Sequence, residues 1–184
     1  MSKSEGKMPL DHLRSQKKPV TKGVRIATDQ EVAERYQEAK TDLDLARITY
    51  ENNSRSEKAI ADYSAAKTKF EDVRAELREN SILFKFRSIG RRKYDDLVKE
   101  HPITDEQREE AKASNGGEDP GIEWNYDTFP DALIAACLVE PELTPEEMLD
   151  WLQTDEWNSA EQQALFQAAF SANTMRAVVD LGKG

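Results

Sequence analysis

The chain has 184 residues with a formal net charge of −10, and 34% of its residues are charged. This charged share exceeds the ~25% usual for globular domains, which indicates that part of the chain has little core of its own. No apolar run reaches the ~18 residues of a membrane span, the N-terminus lacks an apolar signal core, and the one cysteine excludes an intrachain disulfide. We therefore expect a cytosolic protein that contacts no membrane.

The charge is distributed unevenly along the chain. Residues 1–26 carry +5, residues 27–104 carry −1 and residues 105–184 carry −14. The acidic end repels phosphate, so we expect no nucleic-acid partner; this end is either simply solvated or complements a basic partner. Residues 1–26 are polar and aperiodic, and we predict a disordered basic arm.

Residues 27–80 have the spacing of a coiled coil. Thr28 and Glu31 form a capping box that predicts a helix start, and Asn52–Ser54 interrupts the apolar pattern. Two apolar seams flank this break at spacings of three and four residues. They are Val32, Tyr36, Ala39, Leu43, Ala46 and Tyr50, then Ile60, Tyr63, Ala66, Phe70, Val73 and Leu77. We predict a helical hairpin; one long coiled-coil-like helix that pairs with another chain is the alternative.

Residues 81–181 are predicted to form a small acidic helical bundle, so the predicted fold class is all-α. The window 82–90 has the composition of a strand, but the onward spacing of Phe86, Ile89 and Tyr94 favours a helical face.

Clear start and stop signals divide the bundle into short helices. Thr104 and Thr144 each stand three residues before a Gln or Glu, and Ser159 opens a further capping box. Residues 114–121 contain three Gly, one Pro and no apolar residue beyond these, which predicts a mobile loop.

Reactive residues are not gathered in any pattern that predicts catalysis. His12 and His101 are far apart in the sequence, and Cys137 lies on an Ala/Leu helix face typical of a buried core thiol. Gly116-Gly117 lacks the Lys-Ser/Thr of a phosphate loop. We expect no enzyme activity, no catalytic residue, no metal and no cofactor.

Eight large apolar residues are the candidates for partner binding. The sparse aromatic residues of the acidic half either form its core or anchor a client helix in a groove. The seam residues either pack within the chain or cover a partner's apolar stripe reversibly. The candidates are Trp124, Phe129, Trp151, Trp157, Leu43, Tyr50, Phe70 and Leu77.

The C-terminal half carries an ordered series of motifs. The series is Arg87-Ser88-Ile89-Gly90-Arg91-Arg92-Lys93-Tyr94-Asp95-Asp96-Leu97, His101-Pro102-Ile103-Thr104-Asp105-Glu106-Gln107, Trp124-Asn125-Tyr126-Asp127-Thr128-Phe129-Pro130-Asp131-Ala132-Leu133-Ile134-Ala135-Ala136-Cys137 and Val139-Glu140-Pro141-Glu142-Leu143-Thr144. As a set it resembles the tail assembly chaperones of long-tailed (siphovirus-type) phages of actinobacteria, over roughly residues 84–182. The family often has Pro at the positions of Ile103 and Asp131.

The resemblance implies a non-enzymatic role in virion assembly. Such chaperones bind the tape measure protein, keep it soluble and promote polymerisation of tail tube protein around it. They act in the host cytoplasm and are absent from the mature virion. Many are made in two lengths by programmed frameshifting, so Gly182-Lys183-Gly184 suggests a slippery site and a longer form of the chain as a further partner. Homo-oligomerisation is left open.

Two other functions compete with this one. The first is a structural head–tail or tail component that the virion retains. The second is an acidic DNA mimic, which would need its acids along one exposed face, whereas many acids here stand at helix caps.

Overall fold

The computed structural model describes residues 10–175 and contains eight helices and three strands within them. The elements are α1 (Leu10–Gln16), β1 (Thr21–Ala27), α2 (Gln30–Asn52), α3 (Glu57–Glu79), β2 (Ser81–Arg87), α4 (Arg91–Glu100), α5 (Asp105–Ser114), α6 (Phe129–Cys137), β3 (Leu138–Glu140), α7 (Pro145–Leu152) and α8 (Ser159–Thr174).

The chain divides into two compact units. Arg25–Leu83 forms one, which we call the hairpin unit, and Met1–Val24 with Phe84–Gly184 forms the other, which we call the bundle unit. The predicted boundaries after residues 26 and 80 lie close to these limits, whereas the sequence does not predict that residues 10–24 group with the C-terminal half. None of the helices among residues 10–175 has the length and apolarity needed to cross a membrane.

The all-α prediction is wrong, because the three strands form an antiparallel sheet in the order β1-β2-β3. In β2, Phe84 and Phe86 are fully buried while Lys85 between them remains partly exposed. This two-residue alternation is typical of a strand with one buried face, and it overrides the helical spacing that the sequence analysis preferred. Lys85 stands opposite Glu140 of β3 and forms an ion pair with it.

The predicted disorder of residues 1–26 is wrong for α1 and β1; residues 1–9 lie outside the described residues. In β1, side chains alternate between exposed and part-buried along the strand. Hydrogen bonds flank its pairing with β2: the Ser88 amide donates to the Val20 carbonyl and the Thr28 amide donates to the Asn80 carbonyl, both at 2.9 Å. Pairing with a neighbouring strand supplies the stabilisation that composition alone did not indicate.

The hairpin unit contains the predicted antiparallel pair of helices and not one long helix. α2 starts one residue later than predicted, because Asp29 and not Thr28 is the N-cap and accepts from the amides of Glu31 and Val32. Ser56 caps α3 by accepting from the Ala59 amide at 3.3 Å. At ~1.5 Å per residue, each 23-residue helix is about 35 Å long.

The two seams of the hairpin pack against each other. Tyr50 stacks on Tyr63 with ring centroids 5.3 Å apart, and Tyr36 contacts Phe70 at 5.4 Å. On the surface, Arg35 donates to both carboxylate oxygens of Glu76, and Lys69 donates to Asp42 at 2.8 Å. The α3 seam begins at the buried Ala59. Ile60, which the sequence predicts as the first seam residue, is exposed, so that part of the prediction is wrong.

Helix α6 forms the centre of the bundle unit and packs against α4, α7 and α8. It is apolar on almost every face, which is typical of a buried central helix. The buried side chains of this unit are Phe84, Phe86, Phe129, Leu133, Ile134, Ala135, Cys137, Met148, Leu152, Leu165, Phe166, Ala169 and Ala172.

Three capping boxes start the outer helices of the bundle. Thr104 with Gln107 starts α5 and Thr144 with Glu147 starts α7, as the sequence predicts. The α8 box is shifted by one residue, because Asn158 and not Ser159 accepts from the Glu161 amide. Asparagine is as good an N-cap as serine, so the sequence pattern did not distinguish the two positions.

Candidate partner-binding groove

Two of the sequence motifs meet in a hydrogen-bonded turn before α6. The Asn125 amide donates to the His101 carbonyl at 2.8 Å, and the Asn125 side chain accepts from the amides of Asp127 and Thr128. Gln107 donates through Nε2 to Asp127 at 3.0 Å. These bonds fix the backbone of residues 124–128, which carries the aromatic side chains of Trp124 and Tyr126.

Five aromatic rings cluster around this turn. Trp124 stacks on Phe129 at 5.0 Å between ring centroids and meets Phe166 edge to face at 5.5 Å. Tyr126 contacts Trp124 at 5.6 Å, and Phe170 contacts Phe166 at 5.6 Å. Phe129 and Phe166 are buried, whereas the other three rings are partly exposed. The cluster therefore has a core side and a surface side.

The surface side of this cluster is an open groove of about 430 Å³, which we call the aromatic groove. It is lined by Trp124, Tyr126, Pro130, Gln163, Phe166, Gln167 and Phe170. An adjoining hollow of about 310 Å³ shares several of these residues and adds Asp127 and Asp131. The mostly apolar groove thus continues into an acidic hollow.

The stretch of chain that supplies the groove lining is acidic. Residues 113–175 contain 13 Asp and Glu and no Lys or Arg. Asp131 accepts from the Gln153 side chain at 2.7 Å, but its partial burial raises its pKa above the ordinary value. Because burial disfavours the charged carboxylate, a nearby cation would relieve this cost.

Trp151 and Trp157 lie in a separate aromatic cluster. They contact each other at 4.8 Å and both pack on the buried Phe84, at 5.9 and 5.8 Å. Trp151 donates to Glu156 at 2.7 Å, while Trp157 Nε1 is buried and has no hydrogen-bond partner among the described residues. These two rings pack between β2 and the segment around α7, which is a core role.

The eight predicted partner-binding residues are therefore not brought together. Of the four predicted candidates in the bundle unit, only Trp124 lines the groove with an accessible face. Phe129 is too buried to contact a partner. The seam residues Tyr50 and Phe70 contact rings of the opposite helix. Leu43 and Leu77 are half-buried positions in the same seams.

Sequence reasoning missed most of the groove. The predicted partner-binding residues do not include Tyr126, Phe170 or the two α8 glutamines, Gln163 and Gln167. One signal was present: Phe166 and Phe170 are four residues apart on α8, with Gln163 and Gln167 at the same spacing, so an aromatic row and a polar row run side by side. Nothing in the sequence placed this helix beside the turn at Trp124.

The reactive side chains of the described residues do not form a metal-binding cluster. Cys137 is buried, as the sequence analysis expected; burial raises its pKa, and Asn173 Nδ2 donates to its Sγ at 3.1 Å. Between residues 10 and 175 no three His, Cys, Asp or Glu side chains are placed to hold a metal ion. Comparison of the chain with protein-family models, with curated proteins and with solved structures finds no match.

Proposed function

We propose that this protein is a tail assembly chaperone that binds a phage tape measure protein, keeps it soluble and promotes polymerisation of tail tube protein around it. The role is non-enzymatic, takes place in the host cytoplasm and ends before the virion is complete. The observation that carries the proposal is the aromatic groove, because the motif 124–137 that carries part of the family resemblance supplies Trp124, Tyr126 and Pro130 to its lining.

The motifs support the proposal through what they build. The stretch His101–Gln107 holds the turn Trp124–Thr128 by hydrogen bonds, and this turn presents Trp124 and Tyr126 to the groove. A hydrogen-bonded support behind an accessible aromatic surface is typical of a preorganised binding site.

The packing of the hairpin argues against client binding by its seams, which the sequence suggested as one possibility. A client helix can reach the two seams only by displacing one of them, because each covers the other. The groove needs no such displacement. We therefore assign client binding to the bundle unit, and the acidic surface keeps the complex soluble through net charge and repulsion between complexes.

Co-expression with the tape measure protein tests the proposal. The soluble fraction of the tape measure should rise several-fold when the full chain is present, because covered apolar stripes no longer associate. The matched control is the same vector with a stop codon at the start of the coding sequence, so that no chain is made. An unchanged soluble fraction would contradict the proposal.

Mass spectrometry of purified virions separates the chaperone from the structural alternative. A chaperone leaves before the particle is finished, so its peptides should be absent from virions while tail tube peptides are abundant. Peptides of this chain at a fixed ratio to the tail tube would identify a retained tail component instead.

A further inference from the structure

We infer that the aromatic groove binds a cationic amphipathic helix, whose apolar side lies on Trp124, Tyr126 and Phe170 and whose Lys or Arg side chains face Asp127 and Asp131. The inference deepens the proposed function and rests on it only for the identity of the protein that supplies the helix.

The shape of the groove favours a helix as its occupant. Partly exposed rings of Trp124, Tyr126 and Phe170 line an open groove, and the exposed side chains of Gln163 and Gln167 belong to the same lining. An apolar groove with polar residues among its lining is the usual site for the apolar face of an amphipathic helix. Aromatic anchors supply most of the energy in such contacts.

The charge around the groove specifies a cation. Asp127 and Asp131 line the adjoining hollow, and among the described residues neither forms an ion pair; each accepts a hydrogen bond from a glutamine. A Lys or Arg of a partner beside them would form charge-assisted hydrogen bonds with two carboxylates that have no ion-pair partner among the described residues.

The same charge pattern argues against a second copy of the bundle surface. The stretch 113–175 has no Lys or Arg, so apposing two such surfaces would place carboxylates against carboxylates. Like charges brought together across an interface oppose association. An occupant that supplies positive charge is therefore favoured over a second copy of this stretch.

Fluorescence anisotropy with a designed peptide tests the inference on the full chain. The probe is a labelled helix of about 20 residues with Leu at heptad a and d positions and Lys elsewhere. A second probe replaces every Lys by Glu, and a third scrambles the Lys peptide so that no apolar stripe forms. We expect binding of the Lys helix only, weakened by added salt.

Two pairs of substitutions locate the binding site. Gln163→Arg with Gln167→Arg adds two positive charges in the groove, and Gln37→Arg with Thr41→Arg adds the same two charges at the same spacing on exposed α2 positions. Arginine and glutamine have similar helix propensity, so the groove pair should fold. We expect the groove pair to weaken binding about tenfold and the α2 pair to change it by less than about twofold.

The opposite charge change keeps the inference falsifiable if the arginine pair fails to fold. Gln163→Glu with Gln167→Glu should tighten binding of the Lys helix several-fold. Equal affinity across all three pairs, or equal binding of the Glu helix, would overturn the inference. Self-association that the groove pairs abolish, with unchanged peptide binding, would identify a second copy as the occupant and would also overturn it.

The outcome for the groove is distinguishable from the outcome for the proposed function. If the tape measure becomes soluble on co-expression but the groove pairs do not alter peptide binding, the groove assignment is wrong and the chaperone proposal stands. If the peptide results hold and the tape measure stays insoluble, the groove binds another cationic helix and the proposed function is wrong.

Discussion

The hairpin unit and the bundle unit are stabilised in different ways. Among the described residues, the hairpin buries only Val32, Ala39 and Ala59, and its larger seam side chains are half-exposed. Within the same described range, the bundle buries 13 apolar side chains, including four Phe rings. A thin seam contributes little hydrophobic free energy per residue, whereas a filled core holds neighbouring surfaces in place. The bundle unit, which has the denser core, carries the aromatic groove on that core.

This difference can be measured because the two units have different spectroscopic signals. All three tryptophans, Trp124, Trp151 and Trp157, belong to the bundle unit. The hairpin unit has two 23-residue helices and no tryptophan. Tryptophan fluorescence therefore follows unfolding of the bundle, and far-ultraviolet circular dichroism follows both units.

The largest expected effect is that of Phe129→Ala. Phe129 is fully buried and contacts Trp124, Tyr94 and Phe166, so its removal should lower the free energy of unfolding of the bundle by about 3–5 kcal/mol. Urea titration followed by tryptophan fluorescence measures the loss. Phe70→Ala in the hairpin is the control and should leave the fluorescence midpoint in place. A shift of that midpoint by both variants would show that the two units unfold together.

Tyr50→Ala should have the next largest effect, and it should act on the hairpin. It removes the stacked contact with Tyr63 and part of the seam area, a loss of about 1–2 kcal/mol. Circular dichroism in urea should show an earlier loss of helix with an unchanged fluorescence midpoint. Ile48→Ser, at an exposed α2 position, is the control and should change stability by less than about 0.5 kcal/mol. Equal effects of the two variants would contradict the packed seam.

Thr144→Ala should destabilise the bundle by about 1 kcal/mol, because the Thr144 hydroxyl accepts from the Glu147 amide at the start of α7. Thermal unfolding followed by tryptophan fluorescence measures the change, with Thr41→Ala on α2 as the control.

The Glu147 carboxylate, which accepts hydrogen bonds from Thr144 in the same capping box, adds a pH dependence to the stability of the bundle. Hydrogen bonds from Thr144 lower the pKa of Glu147 below 4.5, so this contribution is present above pH 4.5 and is lost as pH falls through the folded value. An acid midpoint that Glu147→Gln does not alter would contradict it.

The smallest expected effect is that of Asp131→Asn, and it has the opposite sign. Burial raises the pKa of Asp131 above 3.8, so its contribution to stability is fully present below pH 3.8 and is lost as pH rises through the folded value. The variant should therefore unfold at a slightly higher temperature than the parent at pH 7, and the gain should disappear below pH 3.8. A melting temperature of Asp131→Asn below that of the parent at pH 7 would show that the charged Asp131 carboxylate stabilises the fold, which contradicts the prediction.

The sequence predicted the local parts of this structure better than the tertiary ones. The hairpin, its break before Ser56 and the capping boxes at Thr104 and Thr144 follow from short-range spacing, and the structure confirms them. The sheet was missed because β2 depends on pairing with β1 and β3, which are distant in sequence.

The candidate site was only partly predictable for the same reason. Trp124 is a candidate from sequence because large aromatic residues are sparse in the acidic half. Its groove partners Phe166 and Phe170 lie about 40 residues further along the chain, and only the packing of α8 on α6 brings them together. Trp151 and Trp157 have the same sequence signal as Trp124 but pack on Phe84, so composition could not separate core from surface.

Photo-crosslinking during co-expression tests most directly whether the bundle groove and not the hairpin contacts the client. A photoreactive phenylalanine analogue replaces Gln167 in one variant of the full chain and Ile48, an exposed residue of the hairpin, in another. The account predicts a crosslink to the tape measure protein from position 167 and none from position 48. A crosslink from position 48 with none from position 167 would contradict it.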